Sequence, residues 1–123
     1  MLPFIIDYQE FVTDMSEYAP GYVTLNLPLL STKFESVDLE PMHVMTPINP
    51  AGYDMNPSKN QVEDALRNFR GQVIAMNILG GGAFSIEKSL SYLNSLGNIE
   101  YLVVGASTKK HLEDIVFTSH CMI

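Results

Sequence analysis

The stretch from Gln72 to Phe84, Gln-Val-Ile-Ala-Met-Asn-Ile-Leu-Gly-Gly-Gly-Ala-Phe, constrains the fold more than any other part of the chain. An apolar run of strand length leads straight into three glycines, and Ser85 opens a helical pattern behind them. The same order returns at Tyr101-Leu-Val-Val-Gly-Ala-Ser-Thr108, again followed by a helical pattern. Strand, loop and helix in direct repetition specify parallel βα units. Sheets built that way bind ligands at the carboxyl ends of their strands. The expected class is therefore α/β.

The rest of the chain extends this pattern upstream. Leu2 to Ile6 reads as a short strand, with Asp7 capping a helix from Tyr8 to Tyr18 whose stripe is Phe11, Val12, Met15 and Tyr18. Pro20-Gly21 ends that helix, and Tyr22 to Leu27 is rich in β-branched and aromatic residues, as a strand would be. Residues 28 to 41, bracketed by two prolines, fit a loop, a short helix or a lid. Met42 to Thr46 reads as a strand running into the proline-rich loop from Pro47 to Pro57. Ser58 and Gln61 form a capping box for a helix to Phe69, with Val62, Ala65, Leu66 and Phe69 as its buried stripe and Gly71 as its C′ residue. Val73 to Leu79 is nearly all apolar, which predicts a strand covered on both faces. Ser85 caps a helix with the stripe Ile86, Leu90, Leu93 and Leu96, ending at Gly97. Ile99 to Val104 is the last strand, and Ser107 or Thr108 caps a final helix through Leu112, Ile115 and Val116.

Length and charge bound the function. With 123 residues the chain makes a single domain, 1-123, with its clearest βα units over 42-118. Apolar residues make up 46% and charged ones only 17%, against roughly 25% charge in an average globular chain, so surface is left over for self-association. The net charge of −7 and the lack of any basic cluster beyond Lys109-Lys110 argue against nucleic acid or an anionic membrane as partner. One cysteine, Cys121, fits a reducing compartment. Met1 to Ile6 lacks the basic flank of a signal peptide, and no apolar run reaches the ~18 residues of a membrane span. A cytoplasmic protein is expected.

At a strand-to-helix junction several amides lack partners and the helix end carries roughly half a positive charge. Glycine lets such a backbone approach a phosphate closely. Gly80, Gly81 and Gly82 precede one helix, and Gly105, Ala106 and Ser107 precede the next. Asn77, at a strand end, and Asn49, in the proline-rich loop, complete the candidate ligand-binding set. Tyr53, Asp54 and Asn56 add polar groups to that loop. Two readings stand side by side: the glycine loops hold an anion, or they are tight turns and nothing more. The spacing matches neither a Walker motif nor the dinucleotide fingerprint. His43, His111 and His120 fall on separate elements and form no metal set. Asp7 with Asp14, and Glu63 with Asp64, read as caps and solvated faces. No nucleophile–base pair is visible, so the catalytic residues are unknown. Lys59, Lys109 and Lys110 read as surface charges, with Lys109 or Lys110 able to supply a cation near the glycines.

With these strands placed, the chain resembles the C-terminal half of an aldo-keto reductase-type (β/α)8 (TIM) barrel. The residues that carry the likeness are Val73-Ile-Ala-Met-Asn-Ile-Leu-Gly-Gly-Gly, Tyr101-Leu-Val-Val-Gly-Ala-Ser-Thr with Leu112 in the helix that follows, and Ile48-Asn-Pro-Ala-Gly-Tyr. The resemblance implies a partial barrel whose last two βα loops, at Gly80 to Gly82 and Gly105 to Ser107, hold a cofactor or substrate phosphate, with NADP as the cofactor the family suggests. That family carries its catalytic Asp, Tyr, Lys and His on the first half of its barrel, and no segment here matches it. A whole barrel needs roughly 200 residues or more, so this chain supplies about half of one: either it is a fragment or truncated relative of a full barrel, or half-barrels self-associate as a homo-oligomer to bury their exposed edges. The expectation is a domain that binds a phosphate-containing small molecule or a nucleotide. The alternative is a non-enzymatic assembly protein whose glycine loops are only turns. An enzyme built on the 47–57 loop is a third reading.

Overall fold

In the computed structural model, residues 2–15, 17–37 and 43–122 are described. The elements run α1 (Leu2–Asp14), β1 (Gly21–Val23), α2 (Leu27–Ser36), β2 (His43–Pro47), α3 (Lys59–Asn68), β3 (Gln72–Met76), α4 (Ile86–Leu96), β4 (Tyr101–Leu102) and α5 (Lys109–Met122). The four strands form one sheet in the order β1-β2-β3-β4, and every pairing is parallel. The α/β class follows.

Sequential order matters for where the helices lie. Parallel crossovers share one hand, so a sheet that never reverses its direction of growth keeps all its helices on one face. Successive helices touch accordingly, α2 with α3, α3 with α4 and α4 with α5. Between them and the sheet sits one core containing Leu27, Phe34, Val44, Val62, Leu66, Val73, Ala75, Leu90 and Leu93. Tyr22 joins α1 to this layer: its ring lies edge-on to both Tyr8 (5.3 Å) and Phe34 (5.0 Å).

The opposite face of the sheet is not covered in the same way. Val23, Met45, Ile74 and Tyr101 lie in register across all four strands, and each is exposed or half-buried. The two-sided burial expected of β3 is therefore corrected: Val73 and Ala75 are fully buried, while Ile74 and Met76 are only partly so. Continuous apolar sequence does not report which face is covered.

Local corrections have local causes. Leu2 to Ile6 is the start of a helix instead of a strand, because Ile5 packs into the core at helical spacing with Tyr8, whose hydroxyl donates to the Gly21 carbonyl (3.0 Å). The expected stripe of that helix faces outward, with Phe11 and Tyr18 exposed. β1 stops at Val23 because Asn26 caps α2, accepting from the Leu29 amide (3.1 Å), so the helix option for residues 28 to 41 holds as far as Ser36. Residues 38–42, which include part of that stretch and the start of the expected third strand, lie outside the described residues. Gly71 does not cap α3. Phe69 takes the C-cap position and the Asn98 carboxamide donates to the Leu66 and Phe69 carbonyls (2.6 and 3.2 Å). The Ser85 and Gly97 caps form as read, and Thr108 caps α5 through the His111 amide (3.0 Å). Ser58 caps α3 through the Gln61 amide (3.2 Å), but the Gln61 side chain accepts from the Ser58 hydroxyl (2.9 Å), where a capping box requires the Ser58 amide.

Candidate functional site

Because the strands are parallel, the loops that follow them emerge at one edge: residues 24–26, 48–58, 77–85 and 103–108. Asn49, Asn77, Gly80 to Gly82 and Gly105 to Ser107 all belong to these loops. The topology thus brings every residue of the expected ligand set to the same edge, with the two glycine loops following the neighbouring strands β3 and β4.

Asn49 is wholly buried, and both ends of its carboxamide are occupied. It donates to the Tyr53 carbonyl and accepts from the Tyr53 amide, each at 2.9 Å. Its work is to shape the loop after β2. Lys59 helps from α3, donating to the Pro50 carbonyl (2.7 Å) while lying 4.8 Å from the centre of the Tyr92 ring. Tyr92 donates to Glu63 (2.7 Å), and its phenol is pushed well above the ordinary range, first by burial and then by that carboxylate.

Asn77 and Asp54 carry the unusual backbone. Both adopt a left-handed conformation, with φ of 52° and 60°, and the Asn77 carboxamide donates to the Asp54 carboxylate at 3.1 Å. Left-handed conformations in non-glycine residues cost about 1–3 kcal/mol and concentrate at functional sites. The pair ties the loop after β2 to the loop after β3 at the strand ends.

The glycine triplet is a chain of tight turns. Gly80, Gly81 and Gly82 all have positive φ, at 57°, 69° and 91°. The Gly80 amide donates to Asn77 (3.0 Å) and the Gly82 amide to Leu79 (3.0 Å), so these two donors are spent inside the loop. Among the described residues Gly81 makes no such bond, and a Cβ there would meet nothing within 4 Å. Gly80 supports an aromatic pair. Phe84 and Tyr53 lie 6.0 Å apart over it, and Lys88 sits 5.1 Å from the Phe84 ring centre. The second loop is more open: Gly105, Ala106 and Ser107 are exposed, and their amides bond to none of the described residues. Lys109 and Lys110 follow after Thr108, both exposed.

A groove of about 480 Å³ lies between α4 and α5, lined in part by Phe84, Ile86, Glu87, His111, Asp114 and Phe117. Sequence reasoning missed it, as it missed the Tyr53–Phe84 and Asp54–Asn77 pairs. The recurrence of His111, Asp114 and Phe117 at helical spacing was the available signal for the groove, and an asparagine at the end of an apolar strand, three positions ahead of a glycine run, was the signal for left-handed backbone. Among the described residues no group of three or more His, Cys, Asp or Glu could hold a metal ion, and no helix is long and apolar enough to cross a membrane. Comparison with protein-family models, with curated proteins and with solved structures gives no match.

Proposed function

We propose that the chain is half of a (β/α)8-type barrel, completed by self-association, that binds a phosphorylated small molecule or a nucleotide at the carboxyl edge of its sheet. The observation that carries the reading is the open loop Gly105–Ser107. Among the described residues its three amides have no hydrogen-bond partner; it leads through Thr108 into a 14-residue helix that opens with Lys109 and Lys110, and the glycine triplet follows the adjacent strand. Amides and a helix terminus favour an anion at that spot. The Asp54 carboxylate disfavours a phosphate beside itself and suits ligand hydroxyls, which would donate to it as the Asn77 carboxamide does on its other side. Tyr53 and Phe84 offer apolar rings for a sugar or base face. The ligand would therefore lie with its phosphate over β4 and its neutral part over β2 and β3. No residue is assigned a catalytic role.

A second reading is favoured by the inward-turned amides of Gly80 and Gly82: the loops are only turns, and the protein is a structural, assembly-forming one. Thermal unfolding in the presence of inorganic phosphate, sugar phosphates and NADPH separates the two. A true ligand at 100 times its dissociation constant adds about 2.7 kcal/mol. Ala106→Asp places a like charge in the open loop without touching the core, so it should abolish that stabilisation while leaving the unliganded protein unchanged. The absence of a shift with every anion leaves the assembly reading.

A further inference from the structure

The groove between α4 and α5, at about 480 Å³, falls within the size range of small-molecule sites. Its lining is divided by depth. Ile86 and Ile115 are buried and make an apolar floor, whereas Glu87 on α4 and Asp114 on α5 are exposed at the rim. Phe84 and Phe117 add aromatic walls. Phe117 is 72% exposed, and among the described residues no other ring and no cation lies against it. Among those residues no lysine or arginine lines the groove.

The two carboxylates are the informative part. Glu63, Asp64 and Glu113 each have a basic partner about one turn away, in Lys59, Arg67 and Lys109. Among the described residues Glu87 and Asp114 have neither a hydrogen bond nor an ion pair, although Lys88 stands next to Glu87 in the sequence. The Lys88 ammonium instead lies over the Phe84 ring, 5.1 Å from its centre. An anion finds little here. The Lys88 and His111 amides, at the starts of the two helices, are taken by the Ser85 and Thr108 hydroxyls (3.2 and 3.0 Å), and both rim carboxylates would repel it.

We propose that this groove binds a small organic cation: an amine whose apolar body packs against the phenylalanine rings over Ile86 and Ile115 and whose ammonium reaches the carboxylates of Glu87 and Asp114. Each part of such a ligand meets a matching surface. The body leaves water for the apolar floor, the ammonium gains two carboxylates that lack any other partner, and the open Phe117 ring attracts the same positive charge. The groove borders the glycine loop through Phe84 but calls for the opposite charge from the Gly105–Ser107 loop. The proposal therefore goes beyond the anion reading and stands without it.

The test titrates the full chain with 2-phenylethylamine and follows it by NMR. The signals of His111, Ile115 and Phe117 should move and saturate with a millimolar dissociation constant. 2-Phenylethanol and phenylacetate keep the ring but carry no charge or a negative one, and each should bind several-fold more weakly. Added salt should weaken binding of the amine and not of the alcohol. Asp114→Asn alters an exposed side chain and should weaken amine binding about threefold. Glu113→Gln makes the same change of charge one position away, outside the groove, and should leave binding as it was. Equal weakening by the two variants overturns the proposal, because net charge alone would then be acting. So does equal binding of the three probes, a preference for phenylacetate, movement confined to other residues, or no binding of the amine well above millimolar concentration. Should Asp114→Asn fail to fold, the three probes on the unaltered chain still decide. Inorganic phosphate and NADPH are titrated separately, so an amine site without an anion site and the reverse are distinct results.

Discussion

Gly80 is held by two constraints, and only one could be read from the sequence. Its φ of 57° is a turn requirement that any glycine run advertises. Its second constraint is spatial: an added Cβ would stand 2.6 Å from Phe84 Cε2 and 3.1 Å from Tyr53 Cδ2. Gly81 has a similar φ of 69° and nothing within 4 Å. Gly80→Ala should therefore cost more than the roughly 1 kcal/mol of left-handed strain, while Gly81→Ala should cost about that alone. Equal losses in urea unfolding would show that the aromatic pair is not what fixes Gly80. Ser89 is a residue of the opposite kind. It reads as an unremarkable helix position, yet its buried hydroxyl donates to the Ile78 carbonyl at 2.7 Å and fastens α4 to the glycine loop. Ser89→Ala leaves that carbonyl unpaired and should destabilise by about 1–3 kcal/mol in the same assay. Contacts between a side chain and a distant carbonyl leave no trace in composition or periodicity.

Among the elements, those fixed by their own termini were legible. α3 and α4 announce themselves through Ser58, Ser85 and Gly97, and the structure places each cap where the sequence puts it. α1 was misread because its β-branched start resembles a strand and its burial depends on β1, a partner that lies beyond it in the chain. β4 is shorter than its apolar run: only Tyr101 and Leu102 keep strand form, although the Glu100 and Val103 amides on either side still donate to the Val73 and Ala75 carbonyls of β3 (3.0 and 2.9 Å). The end of α3 shows the same dependence on tertiary structure. Its last carbonyls are satisfied by Asn98, thirty-odd positions on, instead of by Gly71. Asn98→Ala should cost about 1–3 kcal/mol and raise hydrogen exchange in the last turn of α3 while leaving α4 protected. A uniform rise across both helices would mean that Asn98 acts on the whole layer and not as a cap.

For the molecule as a whole, class and strand direction were readable because two βα units repeat in plain order. The bare face of the sheet was not, since it depends on where every helix lands. Of the expected ligand residues, all reach one edge, but the hydrogen bonds that occupy Asn49, Gly80 and Gly82 became visible only with the loops in place. The layer also carries a global pH signature through Tyr22, which ties α1 to β1 and α2. Burial, and then the neighbouring Tyr8, push its phenol from 10.0 up to about 12, and its hydroxyl donates to Gln9 at 2.9 Å. Below the unfolded value of 10.0 both states hold the proton, so the contribution of Tyr22 is fully present there. As pH rises from there to about 12, the unfolded chain ionises first and the folded state loses that contribution. Tyr92 shifts in the same direction and adds to the loss. Tyr22→Phe should cost about 0.5–1.5 kcal/mol at neutral pH through the lost hydrogen bond. It should also flatten the fall in denaturant midpoint above pH 10. A variant whose alkaline slope matches that of the unaltered chain would show that the Tyr22 phenol stays solvated and that α1 does not pack over it.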